Sequence, residues 1–164
     1  MSTLVIDRIG SLITNDPSLG EGPLGLISDA SIVIEHGFVV AVGRAGAIAD
    51  ERIDAEGACV LPGFVDSHTH LVFAGDRAAE FSARMACQPY DGGGIVVTTE
   101  ATRSASTDKL DRLTMQRVAE ARRHGTTTLE IKSGYGLDVA NEVRALDIAG
   151  HYTTETTFLG AHLV

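Results

Sequence analysis

The sequence predicts an α/β protein in which parallel β/α units follow an all-β N-terminal segment. Residues 1–60 contain short β-favouring runs punctuated by Gly, Asn and Asp, whereas residues 61–164 alternate strand-type and helix-type patterns. The character of the chain changes at Leu61-Pro62-Gly63. In parallel β/α folds the chemistry lies at the carboxyl ends of the strands. We therefore expect functional residues where the strands of the second segment end.

The N-terminal segment is predicted to consist of strands and turns. Ser31–Glu35 and Phe38–Val42 flank His36-Gly37, a two-residue connection typical of a tight hairpin. Residues 15–17 and 20–25 are rich in Gly, Asn, Asp and Pro, which indicates loops.

Helical periodicity appears twice in the second segment. The first helix begins after a cap at Ser106 or Thr107 and ends at Gly125, and the second spans Asp138–Ala149. The residues expected to face inward are Leu110, Leu113, Val118 and Ala121 on the first helix, and Val139, Val143 and Leu146 on the second. The strands predicted around these helices are Phe64–Asp66, of buried type, Thr126–Ile131 and Thr156–Leu159.

The most informative motif is the histidine pair at the end of the first of these strands. His68 and His70 occupy alternate positions, which point to the same face about 6.5–7 Å apart, while Thr69 points away. Two imidazoles at this spacing can bind one ion, with zinc–nitrogen bonds of about 2.0–2.1 Å. Asp66 can orient a ligand histidine or cap the strand end. The alternative is a chance pair of hydrogen-bonded or solvated histidines.

Composition restricts the classes of partner. The formal net charge of −9 disfavours nucleic acid and anionic membranes, and no segment approaches the length of a membrane helix. Cys59 and Cys87 lack paired metal spacing and are expected to be reduced and either buried or without a special role, which suits a cytoplasmic protein. The N-terminus has no signal-peptide pattern.

Longer motifs resemble the amidohydrolase superfamily. Leu61–His70 resembles the strand-one signature of that superfamily. Four further motifs narrow the resemblance to the imidazolonepropionase family: Leu71–Arg77, Gly92–Ile95 with Ala101–Arg103, Glu130–Leu137 and Thr157–His162.

The resemblance implies a fold and a reaction. The family has a distorted TIM-like β/α barrel beside a small β-sandwich, so residues 1–60 are expected to form the N-terminal part of the sandwich and residues 61–164 an incomplete first part of the barrel. The family hydrolyses 4-imidazolone-5-propanoate to N-formimidoyl-L-glutamate in histidine degradation, using one Zn²⁺ or Fe³⁺ ion. A cytoplasmic enzyme with a small-molecule substrate is expected, and a homodimer is possible.

The resemblance also implies the site residues. His68 and His70 match metal ligands, and Arg77, Tyr135 and His162 match substrate-binding positions. An arginine fork suits a propionate tail, although Arg77 could instead form a surface ion pair with Asp76, and Tyr135 could simply cover a turn. Lys132 is expected to pair with a nearby acid rather than to be carbamylated.

Length sets the remaining expectations. A β/α barrel takes about 250 residues, so the later metal ligands and the catalytic residues are expected beyond residue 164. The isolated chain is therefore expected to be inactive and to expose barrel edges that favour aggregation. Residues 87–91 and 150–156 look shorter than the family pattern. Two alternatives are a cytosine- or guanine-deaminase-like amidohydrolase and a non-catalytic fragment.

Overall fold

A computed structural model describes residues 3–44, 48–87, 93–160 and 162. The chain divides into two compact units, Met1–Pro62 and Gly63–Val164. Residues 88–91, in the segment expected to be shorter than the family pattern, lie outside the described residues, as does position 161 in the last family motif.

The first unit is a five-stranded sheet. Its strands are β1 (Thr3–Ile13), β2 (Leu26–Glu35), β3 (Phe38–Arg44), β4 (Glu51–Asp54) and β5 (Cys59–Val60). They lie in the order β3-β2-β1-β4, and β5 also pairs with β1. The β1–β2 and β2–β3 pairs are antiparallel, whereas β4 and β5 run parallel to β1.

The predicted hairpin is confirmed within this sheet. Glu35 pairs with Phe38, and His36 and Gly37 have φ values of 54° and 82°. Positive φ at both central residues defines a type I′ turn, whose twist matches that of the flanking strands. The core under the hairpin is formed by Ile9, Leu12, Ala30 and Ile32.

The second unit combines a parallel three-stranded sheet with four helices among the described residues. The strands, in the order β6-β7-β8, are β6 (Phe64–Thr69), β7 (Thr126–Lys132) and β8 (Thr156–Thr157). The helices are α1 (Ala78–Met85), α2 (Gly93–Ser104), α3 (Thr107–Arg123) and α4 (Val139–Ala149). The predicted mixed α/β class is confirmed, although β8 is two residues long rather than the expected four.

The predicted ends of α3 and α4 are confirmed by their caps. The Ser106 hydroxyl accepts a hydrogen bond from the Lys109 backbone N–H at 3.3 Å, and Gly125 follows the helix at a φ of 91°. The Asp138 carboxylate accepts one from the Asn141 backbone N–H at 2.8 Å. Each cap satisfies a backbone donor that a helix start leaves open.

The predicted inward face of α4 is wrong at Val139 and Val143, whereas Leu146 is partly buried. Val139 is 78% exposed and Val143 is 49% exposed, whereas Glu142 is 1% exposed. The helix presents Glu142 to the interior because its carboxylate accepts hydrogen bonds from the loop that precedes the helix. The other buried residues of α4 are Ala145, Ile148 and Ala149.

Strand β6 is not of the buried type predicted. Phe64 and Val65 are 57% and 68% exposed, and only Thr69 is buried. Within the described part of the chain only β7 flanks this strand, so β6 is an edge whose apolar side chains have little to pack against. Cys59 and Cys87 are also exposed rather than buried, and both are free thiols.

Helices α1 and α2 were not predicted. Helix α1 has no buried residue and thus no apolar stripe that a pattern could reveal. Helix α2 buries threonines, which are weak helix formers. The hydroxyls of Thr98 and Thr102 donate to the carbonyls of Gly94 and Thr98, at 3.1 and 2.7 Å. Without these bonds within the helix, the buried hydroxyl groups would lack hydrogen-bond partners.

The core of the second unit packs α3 and α4 beside β7. Its buried residues include Val72, Leu110, Val118, Leu129, Ile131 and Ile148. In the portion of the chain that the structure describes, no helix combines the length and apolarity needed to cross a membrane.

Candidate functional site

The candidate site begins where β6 ends. Thr69 is buried, and its hydroxyl donates to the Glu130 carbonyl on β7 at 2.7 Å. Because side chains alternate along a strand, anchoring Thr69 on that side leaves His68 and His70 on the other. The centroids of these two imidazole rings are 5.5 Å apart.

Four of the five predicted site residues lie together. The ring of His70 stacks on that of His162, with centroids 4.3 Å apart and planes 11° apart. The Tyr135 ring lies 5.7 Å from His70 and 5.1 Å from His162. We call His68, His70, Tyr135 and His162 the ring cluster. His68 is the penultimate residue of β6, and the other members follow β6, β7 and β8, so three neighbouring strands bring them to one end of the sheet.

The environment of His70 favours a neutral imidazole. Burial lowers the pKa of this ring, and the nearby His162, His68 and Lys132 lower it further, although the Ser133 backbone works in the opposite direction. The Nδ1 atom of His70 is buried and has no well-formed hydrogen bond to any described residue. A neutral imidazole with an unused nitrogen is the form in which histidine binds metals.

The loop after β7 holds the other side of the cluster. His162 Nδ1 donates to the Gly134 carbonyl at 3.1 Å. Gly134 has a φ of 133°, and a Cβ at this position would lie 2.7 Å from His162 Nδ1. Only glycine allows the backbone to approach the imidazole this closely.

Arg117 on α3 supports the segment that follows the histidine pair. Its guanidinium donates to the carbonyls of Leu71 and Phe73, at 2.8 and 2.7 Å, and lies 3.5 Å from the centroid of the Phe73 ring. Phe73 in turn contacts Tyr135, with ring centroids 5.8 Å apart. Burial lowers the pKa of Arg117.

Sequence reasoning missed Arg117, although its position carried a signal. It follows Leu113 by four residues and Leu110 by seven, so it lies on the apolar stripe of α3. A cation within such a stripe indicates a buried partner, which here is the backbone after the histidine pair.

Arg77 is not part of the ring cluster. It forms a bidentate ion pair with Glu80 of α1, Nε to Oε2 at 2.5 Å and the second guanidinium nitrogen to Oε1 at 2.7 Å. The alternative of an ion pair for Arg77 is thus realised with Glu80, while Asp76 Oδ1 accepts from the Ala78 backbone N–H at 3.0 Å.

The expected pairing of Lys132 with an acid is confirmed. Its Nζ donates to Glu130 Oε1 at 2.6 Å, and the Thr157 hydroxyl donates to the same oxygen. Burial acts to raise the pKa of Glu130, but the hydrogen bonds from Lys132 and Thr157 outweigh it, and the net pKa is lowered. The hydrogen bond from Thr157 to Glu130 joins the side chains of β8 and β7.

Asp66 takes the strand-end role rather than a ring-orienting one. Its carboxylate accepts a hydrogen bond from the His68 backbone N–H at 3.3 Å. Across the described ranges, no group of three or more His, Cys, Asp or Glu side chains could hold a metal ion. As metal ligands, His68 and His70 alone would be an incomplete set, because a catalytic zinc normally has three protein ligands.

Solved structures define the class of fold. The chain is similar to a triazine hydrolase from Arthrobacter aurescens, with a TM-score of 0.60 and 19% identity over 92% of this chain and 34% of that one. A zinc-complexed mutant of atrazine chlorohydrolase from the same species gives 0.59 and 20%, over 94% and 35% of the two chains. A Xaa-Pro dipeptidase gives 0.57 and 20%, over 97% and 33%. The fold of the chain is therefore similar to the fold of about one third of each of these enzymes.

Sequence relatives identify one family to which the chain is homologous. Imidazolonepropionase from Salinispora tropica is 62% identical and that from Mycolicibacterium smegmatis 55%, each over 100% of this chain. The chain is thus homologous over its whole length to the imidazolonepropionases, and it matches the N-terminal 42% of their length. The resemblance seen in the sequence motifs is confirmed. No family model matches the chain.

Proposed function

We propose that the chain is the first part of a metal-dependent hydrolase of a cyclic amide. The reaction is the addition of water to 4-imidazolone-5-propanoate to give N-formimidoyl-L-glutamate, a step of histidine degradation. One observation carries the proposal: the His68–His70 pair faces Tyr135 and His162 at one end of a parallel sheet. The homology to imidazolonepropionases supports the choice of substrate.

The second unit is proposed to be the beginning of a distorted TIM-like barrel. Three adjacent parallel strands in sequence order are what the start of such a barrel requires. The first unit is proposed to be the N-terminal part of a small β-sandwich. The relatives' remaining length would supply the other barrel strands, the later metal ligands and the catalytic residues.

His68 and His70 are the proposed ligands of one Zn²⁺ or Fe³⁺ ion. Zinc–nitrogen bonds of about 2.0–2.1 Å at tetrahedral angles put two ring centroids roughly 5 Å apart. The 5.5 Å between these rings and the unused Nδ1 of His70 support the fit. When bound, such an ion lowers the pKa of a coordinated water and polarises a carbonyl.

His162 and Tyr135 are proposed to hold the substrate ring. His162 Nδ1 donates to Gly134, which leaves Nε2 as the atom available to a ligand. Neutral His162 can therefore accept a substrate N–H at Nε2, and protonated His162 can donate to the ring oxygen. The Tyr135 ring, in contact with both histidines, closes one side of the cluster.

Arg77 is proposed to bind the propionate tail. The Glu80 carboxylate already occupies its guanidinium in the bidentate geometry that a propionate would use. Binding of the tail therefore requires exchange of one carboxylate for another. This exchange places Glu80 in direct competition with the substrate.

The proposal is tested by joining residues 1–164 to the C-terminal remainder of the Salinispora tropica relative. We expect the purified, zinc-loaded fusion to consume imidazolone propionate and form formimidoylglutamate, while the isolated chain does neither. Preferential turnover of cytosine or guanine would instead favour a deaminase-like enzyme. A folded, metal-loaded fusion inactive on all three compounds would support the non-catalytic alternative.

A cytoplasmic location, a small-molecule substrate and a homodimer complete the proposal. The same fusion tests the last of these, because its mass in solution separates a monomer from a dimer.

A further inference from the structure

A buried carboxylate lies directly behind the loop that carries Tyr135. Glu142, in the first turn of α4, is 1% exposed. Its Oε1 atom accepts the backbone N–H groups of Gly136 and Leu137, at 2.8 and 2.7 Å. These bonds join the end of the loop to the start of the helix.

We propose that Glu142 is a positioning residue for the ring cluster. By fixing Gly136 and Leu137, it holds the loop that presents the Tyr135 ring and the carbonyl bonded to His162. This inference rests on the proposed roles of Tyr135 and His162 in substrate binding.

The loop is anchored at both ends. At one end, a Cβ on Gly136 would lie 2.7 Å from Asn141 Cβ and 2.8 Å from the Glu142 backbone nitrogen, so the loop packs directly on α4. At the other end, the Gly134 carbonyl accepts from His162. Tyr135 lies between these two anchored points. Displacement at Gly136 therefore moves the ring of Tyr135 and the partner of His162 together.

The loop conformation needs an external acceptor. Leu137 has a φ of 58°, a left-handed value that costs a non-glycine residue energy. A single carboxylate oxygen that receives two N–H donors offsets this cost through charge-assisted hydrogen bonds. The positive end of the α4 dipole further favours a negative charge at Glu142.

The second carboxylate oxygen of Glu142 makes Glu142→Gln an informative substitution. Glu142 Oε2 is buried and has no hydrogen-bond partner among the described residues. Glu142→Gln keeps the shape but removes the charge and leaves a buried NH₂ group without an acceptor. Glu142→Asp keeps the charge but shortens the side chain, so it cannot reach both N–H groups.

Asp138 provides a control at the same helix end. It caps α4 through Asn141 and pairs with Arg103 at 3.1 Å, but its carboxylate is not the acceptor for Gly136 or Leu137. Asp138→Ala therefore weakens α4 without removing the loop's acceptor. If Glu142 only stabilised α4, substitutions at Glu142 and at Asp138 would have the same effect on the loop.

The test is amide hydrogen exchange and aromatic NOE measurement by NMR on the chain itself. In Glu142→Gln and Glu142→Asp we expect exchange at Gly136 and Leu137 to rise on the order of tenfold or more. The NOEs between the Tyr135 and His162 rings should weaken in the same variants. Asp138→Ala should leave both readouts near those of the unsubstituted chain.

Three outcomes would overturn the proposal. The first is unchanged exchange in both Glu142 variants. The second is loss of the Tyr135–His162 NOEs in Asp138→Ala as well. The third needs no variant: unprotected Gly136 and Leu137 amides in the unsubstituted chain would exclude the bonds, even if the variants failed to fold.

A separate activity arm distinguishes this inference from the proposed function. In the fusion described above, Glu142→Gln should raise KM several-fold more than it lowers kcat and leave zinc content unchanged. An unchanged KM, or loss of zinc in step with activity, would contradict positioning. If the unsubstituted fusion lacked activity while the loop responded as expected, the proposed function would fail and Glu142 would remain the anchor of the loop.

Discussion

The imidazole rings of His70 and His162 stack with their centroids 4.3 Å apart, although they follow different strands of the sheet. The stack covers one face of His70 and contributes to its burial, which is the main cause of its lowered pKa. It also joins a proposed metal ligand to a proposed substrate-binding residue. Several consequences of this arrangement can be measured.

The first prediction concerns pH. Because the folded state lowers the pKa of His70, the unfolded chain binds a proton there that the folded chain resists. The contribution of His70 to folding free energy is therefore full above about pH 6.5 and is lost as pH falls below that value. Urea unfolding between about pH 7.5 and about pH 5 should show stability decreasing more steeply in the unsubstituted chain than in His70→Asn. Identical pH dependence of stability in the two proteins would contradict a lowered pKa of His70 in the folded state.

The second prediction concerns Arg117. Arg117→Met removes two hydrogen bonds to backbone carbonyls and the contact with Phe73. We expect it to lower the free energy of unfolding by about 2–3 kcal/mol, measured by guanidinium denaturation.

Arg112 on the same helix is the matched control for Arg117, because it is exposed. Arg112→Met should change the free energy of unfolding by no more than about 0.5 kcal/mol. Equal effects at the two positions would mean that the buried contacts of Arg117 contribute nothing specific.

The third prediction concerns Gly134. Gly134→Ala places a methyl group 2.7 Å from His162 Nδ1 at a backbone φ of 133°. We expect the substitution to separate His162 from His70, because the imidazole must move and its carbonyl partner with it. The chemical shifts of the His162 ring protons should change, whereas Gly22→Ala, at a positive φ with open space around it, should leave them unchanged. Unaltered His162 shifts in Gly134→Ala would argue against this contact.

The fourth prediction separates Arg77 from Glu80 in the fusion with the Salinispora remainder. Arg77→Met should raise KM by roughly tenfold or more while zinc content is unchanged, since a charged hydrogen-bonding partner of the tail is lost. Glu80→Gln should lower KM or leave it unchanged, because it weakens the competitor for the guanidinium. Loss of zinc in Arg77→Met would show a structural role instead.

The sequence predicted those parts of the fold in which local chemistry and packing agree. The caps at Ser106 and Asp138 and the His36-Gly37 turn are set by bonds within a few residues, and each was predicted correctly. The apolar periodicity of α3 likewise identified its buried residues Leu110 and Val118.

Predictions failed where a distant partner decides the outcome. The inward face of α4 depends on Glu142 and on a loop whose backbone donors no periodicity reveals. The exposure of β6 depends on which strands flank it, a property of topology rather than of Phe64 or Val65.

In the candidate site, too, features set by local sequence were predicted from that sequence, and those set by distant partners were not. Alternation along β6 was enough to bring His68 and His70 to one face. No local sequence pattern predicted that Tyr135 and His162 lie beside these histidines. That prediction came from the family resemblance and from the positions of Tyr135 and His162 after strands. The pairing of Arg77 with Glu80 arises from an α1 helix that has no buried stripe, so it could not be seen in advance.

The most direct test is equilibrium dialysis of the fusion with the Salinispora remainder against Zn²⁺, with bound metal measured by mass spectrometry. We expect one bound ion per chain, and we expect both His68→Ala and His70→Ala to lose it. His151→Ala should retain it, because that exposed histidine pairs with Asp111 at 3.0 Å. Equal zinc binding by all four fusion proteins, or binding by none of them, would contradict the central claim that His68 and His70 hold one metal ion.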